Sequence, residues 1–174
     1  MVTRTVRFLA LIAAAAAGLG LAPRLPAQIV AGDAFPALTP AALGGGALPA
    51  TAGKVTLVDF WASWCAPCKA SFPAYSRLQS DYRARGLVVV AVSVDESVAA
   101  YAAFVAKLKP AFATAHDAHH LLVALVQVPT MPTSYLVDRS GRVRFLHPGF
   151  HGEATERELR AEVETLLAEK APAP

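Results

Sequence analysis

The apolar positions of this chain alternate between two periods, and the switches mark out its elements. Lys54 to Ala62 (Lys-Val-Thr-Leu-Val-Asp-Phe-Trp-Ala) is almost wholly apolar over the length of one strand, the pattern of a strand covered on both faces. Asp59 is its one misfit. A helix is predicted over Ala66–Arg85, with Pro67 at a first-turn position, Pro73 inside it as a bend, and Gly86 as its stop. Leu87 to Val94 predicts a second buried strand, Ser97 to Lys109 an alanine-rich helix closed by Pro110, Phe112 to Ala115 a short strand, and Asp117 to Val126 a short helix. Ser134 to Asp138 and Val143 to Leu146 read as a strand pair turning through Ser140-Gly141. The last helix opens on the capping pattern Thr155-x-x-Glu158 and carries the stripe Leu159, Val163, Leu166 and Leu167. Residues 28–52 are rich in Ala, Gly and Pro, and two short strands about Gly44-Gly45-Gly46 would make a β-hairpin there. Strands alternating with helices, then two strands and a closing helix, predict one α/β domain of three layers with mixed strand pairing.

The first 27 residues follow a different logic. Arg4 and Arg7 precede an apolar run from Phe8 to Leu21, and Leu25-Pro26-Ala27 puts a small residue before Gln28. This is the layout of a signal peptide. The run is shorter than the roughly 20 residues a membrane-spanning helix needs, which favours cleavage over an uncleaved anchor. The division expected is therefore a signal peptide at 1–27, an N-terminal extension at 28–52, the domain at 53–170 and a tail at 171–174. The full chain has 16 Lys and Arg against 13 Asp and Glu. Without the three arginines of the leader, 13 basic residues face 13 acidic ones. No basic footprint for nucleic acid remains.

The chain holds two cysteines, Cys65 and Cys68, in one Cys-x-x-Cys. A bridge closing so small a loop restrains little of the unfolded chain, so a reactive disulfide is the better reading than a structural one. Cys65 falls where a strand hands over to a helix, whose unpaired N–H groups and partial positive charge stabilise a thiolate. Since the thiolate is the nucleophile, Cys65 is the expected attacking group and Cys68, one turn further in, the resolving one. Asp59 has two readings: a structural acid bonded to nearby backbone, or a carboxyl of raised pKa that exchanges a proton with Cys68.

Val58-Asp59-Phe60-Trp61-Ala62-Ser63-Trp64-Cys65-Ala66-Pro67-Cys68-Lys69, followed by Pro73, resembles the active-site stretch of thioredoxins. Val128-Pro129-Thr130-Met131-Pro132-Thr133 resembles the thioredoxin segment that carries a cis-proline facing the disulfide, which puts the cis bond at Met131-Pro132. The longer stretch between Cys68 and Pro132, the N-terminal extension and the leader together are similar to the TlpA/ResA-like family of exported, reducing thioredoxin-like proteins. The likeness covers about Asp33 to Glu169. It implies a thioredoxin-like fold, a central mixed β-sheet flanked by helices, with an N-terminal extension and a central αβ insertion. It also implies Cys65 and Cys68 as the redox-active disulfide, Asp59 beside them, and a substrate-binding surface of Trp64, Ala66, Pro67, Met131, Pro132 and Thr133. The chain departs from the ResA-like pattern at Ser71, where a glutamate is common, and at Asp59, where asparagine is common. Ala91 stands where thioredoxins place a lysine near the buried acid.

The function implied is reduction of protein disulfides outside the cytoplasm, with a membrane partner as electron donor and cytochrome c maturation among the family's roles. No cofactor and no metal are called for, and the leader is the one expected membrane contact, including a tether to the inner membrane if uncleaved. A disulfide oxidase or isomerase is the alternative, against which stands the lack of a histidine between the cysteines. A copper-delivery protein of the same fold is a further alternative, for which the cysteine spacing is too narrow. A peroxidase would not need an adjacent resolving cysteine. His116, His119 and His120 with Asp117, and His147 and His151, read as ordinary loop histidines, Trp61 as core, and Tyr82 and Tyr101 as exposed helix residues.

Overall fold

A computed structural model describes residues 27–40, 43 and 48–170. The leader through residue 26, the Gly44-Gly45-Gly46 turn and the tail lie outside the described residues. Five strands form one sheet: β1 (Val55–Trp61), β2 (Leu87–Ser93), β3 (Ala113–His116), β4 (Thr133–Val137) and β5 (Val143–Pro148), in the order β3-β2-β1-β4-β5. β1–β2 and β2–β3 are parallel, β1–β4 and β4–β5 antiparallel. The helices are α1 (Ala66–Tyr82), α2 (Val98–Leu108), α3 (Leu121–Val126) and α4 (Glu153–Ala168). This is the thioredoxin-like arrangement expected, with α2 and β3 as the central insertion.

Alternation along β1 decides what each face meets. Val55, Leu57, Asp59 and Trp61 point to the side covered by α1 and α4, where Phe72, Tyr75, Leu78, Leu159, Val163 and Leu166 complete one core. Val58 and Phe60 point to the other side, under Leu122 and Val126 of α3 and the extension residues Ile29, Phe35, Leu38, Leu43 and Leu48. Every residue of β1 is buried, as its apolar run requires. Trp61 packs among Phe72 and Phe104 at ring-centroid distances of 4.9 and 4.7 Å, contacts worth about 1 kcal/mol each beyond area burial.

Several boundaries moved for identifiable reasons. α1 runs unbroken through Pro73 to Tyr82, and a 3₁₀ turn, Arg83–Arg85, carries the chain to Gly86 at φ 102°. α3 starts four residues later than Asp117, because the Asp117 carboxylate accepts from the N–H groups of Leu121 and Val123 and so caps the helix from outside it. The Thr155 cap of α4 is corrected: Gly152 holds the cap position, and Thr155 Oγ1 reaches back to the His151 N–H at 3.0 Å. Among the described residues of 28–52, the one β pairing is a bridge from Ala34 to Arg142. The extension therefore lies against the β5 side of the sheet. No described helix is long and apolar enough to cross a membrane.

Candidate functional site: a disulfide at the head of α1

Cys65 and Cys68 form a disulfide, and Cys65 is the N-cap of α1. Its backbone is extended (φ −83°, ψ 111°) and its Sγ lies 3.3 Å from the Cys68 N–H that it accepts. A thiolate at this position is stabilised by that donor and by the positive end of the helix. Cys68 is fully buried and Cys65 is 4% exposed, but the residues around Cys65 are open: Trp64 is 70% exposed, and Ala66 and Pro67 are exposed. The geometry thus leaves Cys65 just beneath an open surface and seals Cys68 completely.

β1 ends near Cys65, and β4 begins at the same end, because Thr133 is the register partner of Phe60. The loop leading into β4 carries the cis bond at Met131-Pro132, where the resemblance placed it. Pro132 is buried, its carbonyl accepting from Gly149 N–H at 2.7 Å, and Thr133 Oγ1 donates to the Thr130 carbonyl at 2.8 Å. Met131 is half-buried and packs against the core cluster that holds both cysteines.

Asp59 is fully buried. Oδ1 accepts from the Tyr75 hydroxyl at 3.0 Å and Oδ2 has no partner. Burial holds its pKa well above the usual carboxylate range, with the Tyr75 hydrogen bond a lesser, opposing influence. The backbone-bonded structural reading of Asp59 does not hold, since among the described residues its carboxyl bonds to the Tyr75 side chain and to no backbone group. Its neighbour across β2 is Ala91.

Sequence reasoning missed a second acid. Asp95, just after β2, is buried and accepts from Ser63 N–H and Ser63 Oγ, two residues before Cys65, and from Ser93 Oγ. His116 Nε2 and His120 Nε2 bond to the carbonyls of Asp95 and Val94. Two of the clustered histidines therefore brace this loop. Among the described residues, no group of three or more His, Cys, Asp or Glu is placed to hold a metal ion. An open groove of about 480 Å³ lies beside Trp64, bounded by Glu96, Ser97, Ala100, His120 and Val123. Tyr82 and Tyr101 need correction: Tyr82 is buried with its hydroxyl on Glu164, and Tyr101 is half-buried, packed on Trp61 and stacked on His116.

Sheet order, the disulfide capping α1 and the cis-proline loop beside it define the class: a thioredoxin-fold protein with a Cys-x-x-Cys pair at its first helix. The model of the AhpC/TSA family matches residues 31–146, more than half of the chain, and the chain belongs to that family. The thiol-disulfide oxidoreductase ResA of Oceanobacillus iheyensis is 32% identical over 97 residues, spanning 56% of this chain and 50% of that protein. The chain spans about half the length of the curated relatives it matches. A putative thiol:disulfide interchange protein DsbE from Chlorobium tepidum superposes with a TM-score of 0.74 at 36% identity, over 81% of this chain and 100% of that one. A secreted disulfide oxidoreductase of Mycobacterium tuberculosis shares the fold, with a TM-score of 0.59 at 24% identity, over 67% and 84% of the two chains.

Proposed function

We propose that this protein is an extracytoplasmic thiol–disulfide oxidoreductase that reduces disulfides in other proteins, the haem-attachment cysteines of c-type cytochromes among its substrates. The observation that carries the reading is the pair itself: Cys65 at the helix head amid exposed Trp64, Ala66 and Pro67, and Cys68 sealed beneath it. Residues 1–27 support export as a cleaved leader ahead of an extension at 28–52 and a redox domain at 53–170. The likeness to ResA and DsbE supports the reductive direction, with a membrane donor to restore the dithiol. The Cys65–Cys68 bridge favours this dithiol chemistry over a peroxidase.

In the reaction the Cys65 thiolate attacks one sulfur of a substrate disulfide. A Cys65–substrate bond forms, the substrate bond breaks, and the first substrate thiolate leaves to take a proton from water. Cys68 then gives its proton to Asp59 and attacks Cys65 Sγ. The Cys65–Cys68 bond forms, the mixed disulfide breaks, and the second substrate sulfur departs as a thiolate that takes a proton from water. Two electrons pass to the substrate, and the protein is left as the disulfide seen here. Exposed Trp64 and half-buried Met131 receive the substrate chain, which pairs strand-like with the loop backbone held in place by buried Pro132 and Thr133.

Purified reduced protein is expected to reduce insulin disulfides, and Cys68→Ser expressed in the native cell to accumulate mixed disulfides with exported proteins. Failure of both would overturn the reading. Cell fractionation and N-terminal sequencing check export: a mature chain starting at Gln28 outside the cytoplasm is expected, whereas a cytosolic chain retaining Met1 or Val2 would refute it.

A further inference from the structure

On one side of α1 the residues Cys68, Ser71 and Tyr75 lie at i, i+3 and i+7, all buried and all facing β1. Alternation along β1 aims Asp59 at the same face. Ser71 Oγ donates to the Cys68 carbonyl at 2.9 Å, and Tyr75 OH donates to Asp59 Oδ1 at 3.0 Å. Ser134, the register partner of Asp59 on β4, has a buried Oγ with no hydrogen-bond partner, and Asp59 Oδ2 is equally unpartnered. Around Asp59, Ala91 of β2 and Ser134 of β4 are its register partners, Tyr75 of α1 bonds to it from the face that also carries Cys68 and Ser71, and α4 buries Thr155, Leu159, Val163 and Leu166. No described lysine, arginine or histidine bonds to this carboxyl.

We propose that Tyr75 is the positioning residue of the resolving step, its hydroxyl holding Asp59 by Oδ1 so that Oδ2 stays open as the landing place for the Cys68 proton. The inference rests on the dithiol chemistry proposed above. A buried carboxyl with both oxygens unpaired would stay protonated across the working range and accept nothing. A single neutral donor offsets part of that cost without the full charge of a lysine, and it fixes the carboxyl plane. The Tyr75 hydroxyl is itself kept in its protonated, donating form by burial and by the Asp59 charge. The hydroxyls of Ser71 and Ser134 lie near Tyr75 and act the other way, although Ser134 Oγ stands outside hydrogen-bonding geometry.

Tyr75→Phe keeps the ring and removes the donor. Loss of that hydrogen bond favours the neutral carboxyl, so the pH midpoint of the resolving step moves up. On its acid side resolution slows about tenfold, the size expected for a hydrogen bond to a charged group. Attack by Cys65 on a small disulfide is expected to be unchanged. In the Asp59→Asn background, Tyr75→Phe is expected to alter nothing further. Single-turnover decay of a mixed disulfide across pH reads both single variants and the double variant. A wild-type midpoint in Tyr75→Phe, or an equal slowing in the Asp59→Asn background, overturns the proposal. Site-specific 3-fluorotyrosine at position 75 preserves the packing where the phenylalanine variant does not fold. Its more acidic phenol strengthens the bond, and the midpoint is expected to move down; no movement overturns the proposal. A ¹³C NMR titration of the Asp59 carboxyl in the reduced protein follows the same shifts with no substrate present. It therefore separates failure of this inference from failure of the reductase reading.

Discussion

Asp95 grips Ser63 with its carboxylate: Oδ1 lies 3.0 Å from the Ser63 N–H and 2.7 Å from its hydroxyl, while Oδ2 takes the Ser93 hydroxyl at 2.7 Å. The segment entering the helix head is thereby tied to the end of β2, 32 residues further along the chain. Asp95→Ala strands the Ser63 N–H and both serine hydroxyls. It is expected to destabilise the fold by about 1–3 kcal/mol and to slow alkylation of the reduced Cys65 thiol. Thermal unfolding and iodoacetamide kinetics measure the two effects; wild-type values in both would show that the grip does not position the cysteine.

Asp59 makes stability depend on pH with a definite sign. Its folded pKa is raised by burial, so between the unfolded carboxyl value near 3.9 and the higher folded value the native state binds more protons than the unfolded one. Stability therefore falls as pH rises through that window. Asp59→Asn removes the slope. The variant is expected to gain over the wild type at pH 7 to 8 and to gain least near pH 4, each unit of upward shift being worth about 1.4 kcal/mol at the alkaline end. Urea melts at several pH values check this; a gain independent of pH would assign the effect to packing.

Trp64 presents most of its surface to solvent beside the reactive sulfur. Trp64→Ala is expected to raise the KM for protein disulfides several-fold while leaving reduction of a small aromatic disulfide and the Tm almost unchanged. Exposed substitutions of this kind ordinarily move stability by within about 0.5 kcal/mol. Equal losses on small and protein substrates would instead tie Trp64 to the chemistry of Cys65.

The cysteines are separated by Ala66 and Pro67, neither of which stabilises a thiolate by charge. The disulfide is therefore expected to be a poor oxidant, with a potential nearer the roughly −270 mV of thioredoxin than the roughly −120 mV of the strong oxidants. Equilibration with glutathione buffers measures it, and a strongly oxidising value would reverse the proposed direction of electron flow.

Local pattern was enough for the elements and for the reactive pair. A strand buried on both faces is apolar throughout, a helix that leaves it needs a head and a stop, and Cys65, Pro67 and Gly86 occupy those points because backbone geometry near each is set within a few residues. The bond at Met131-Pro132 was legible as well, but through resemblance, since nothing local distinguishes it from Val128-Pro129. What periodicity could not reach was the pairing of polar groups far apart in sequence. Nothing local singles out Asp95 or Tyr75, Asp117 reads as the first residue of a helix, and Tyr82 as an exposed helix side chain. Their roles depend on which strand lies beside which helix. The alternation of β1 turned Asp59 towards α1, and the rotation of α1 turned Tyr75 towards Asp59. A hydrogen bond across that interface, 16 residues apart in the chain, exists only once both elements are packed.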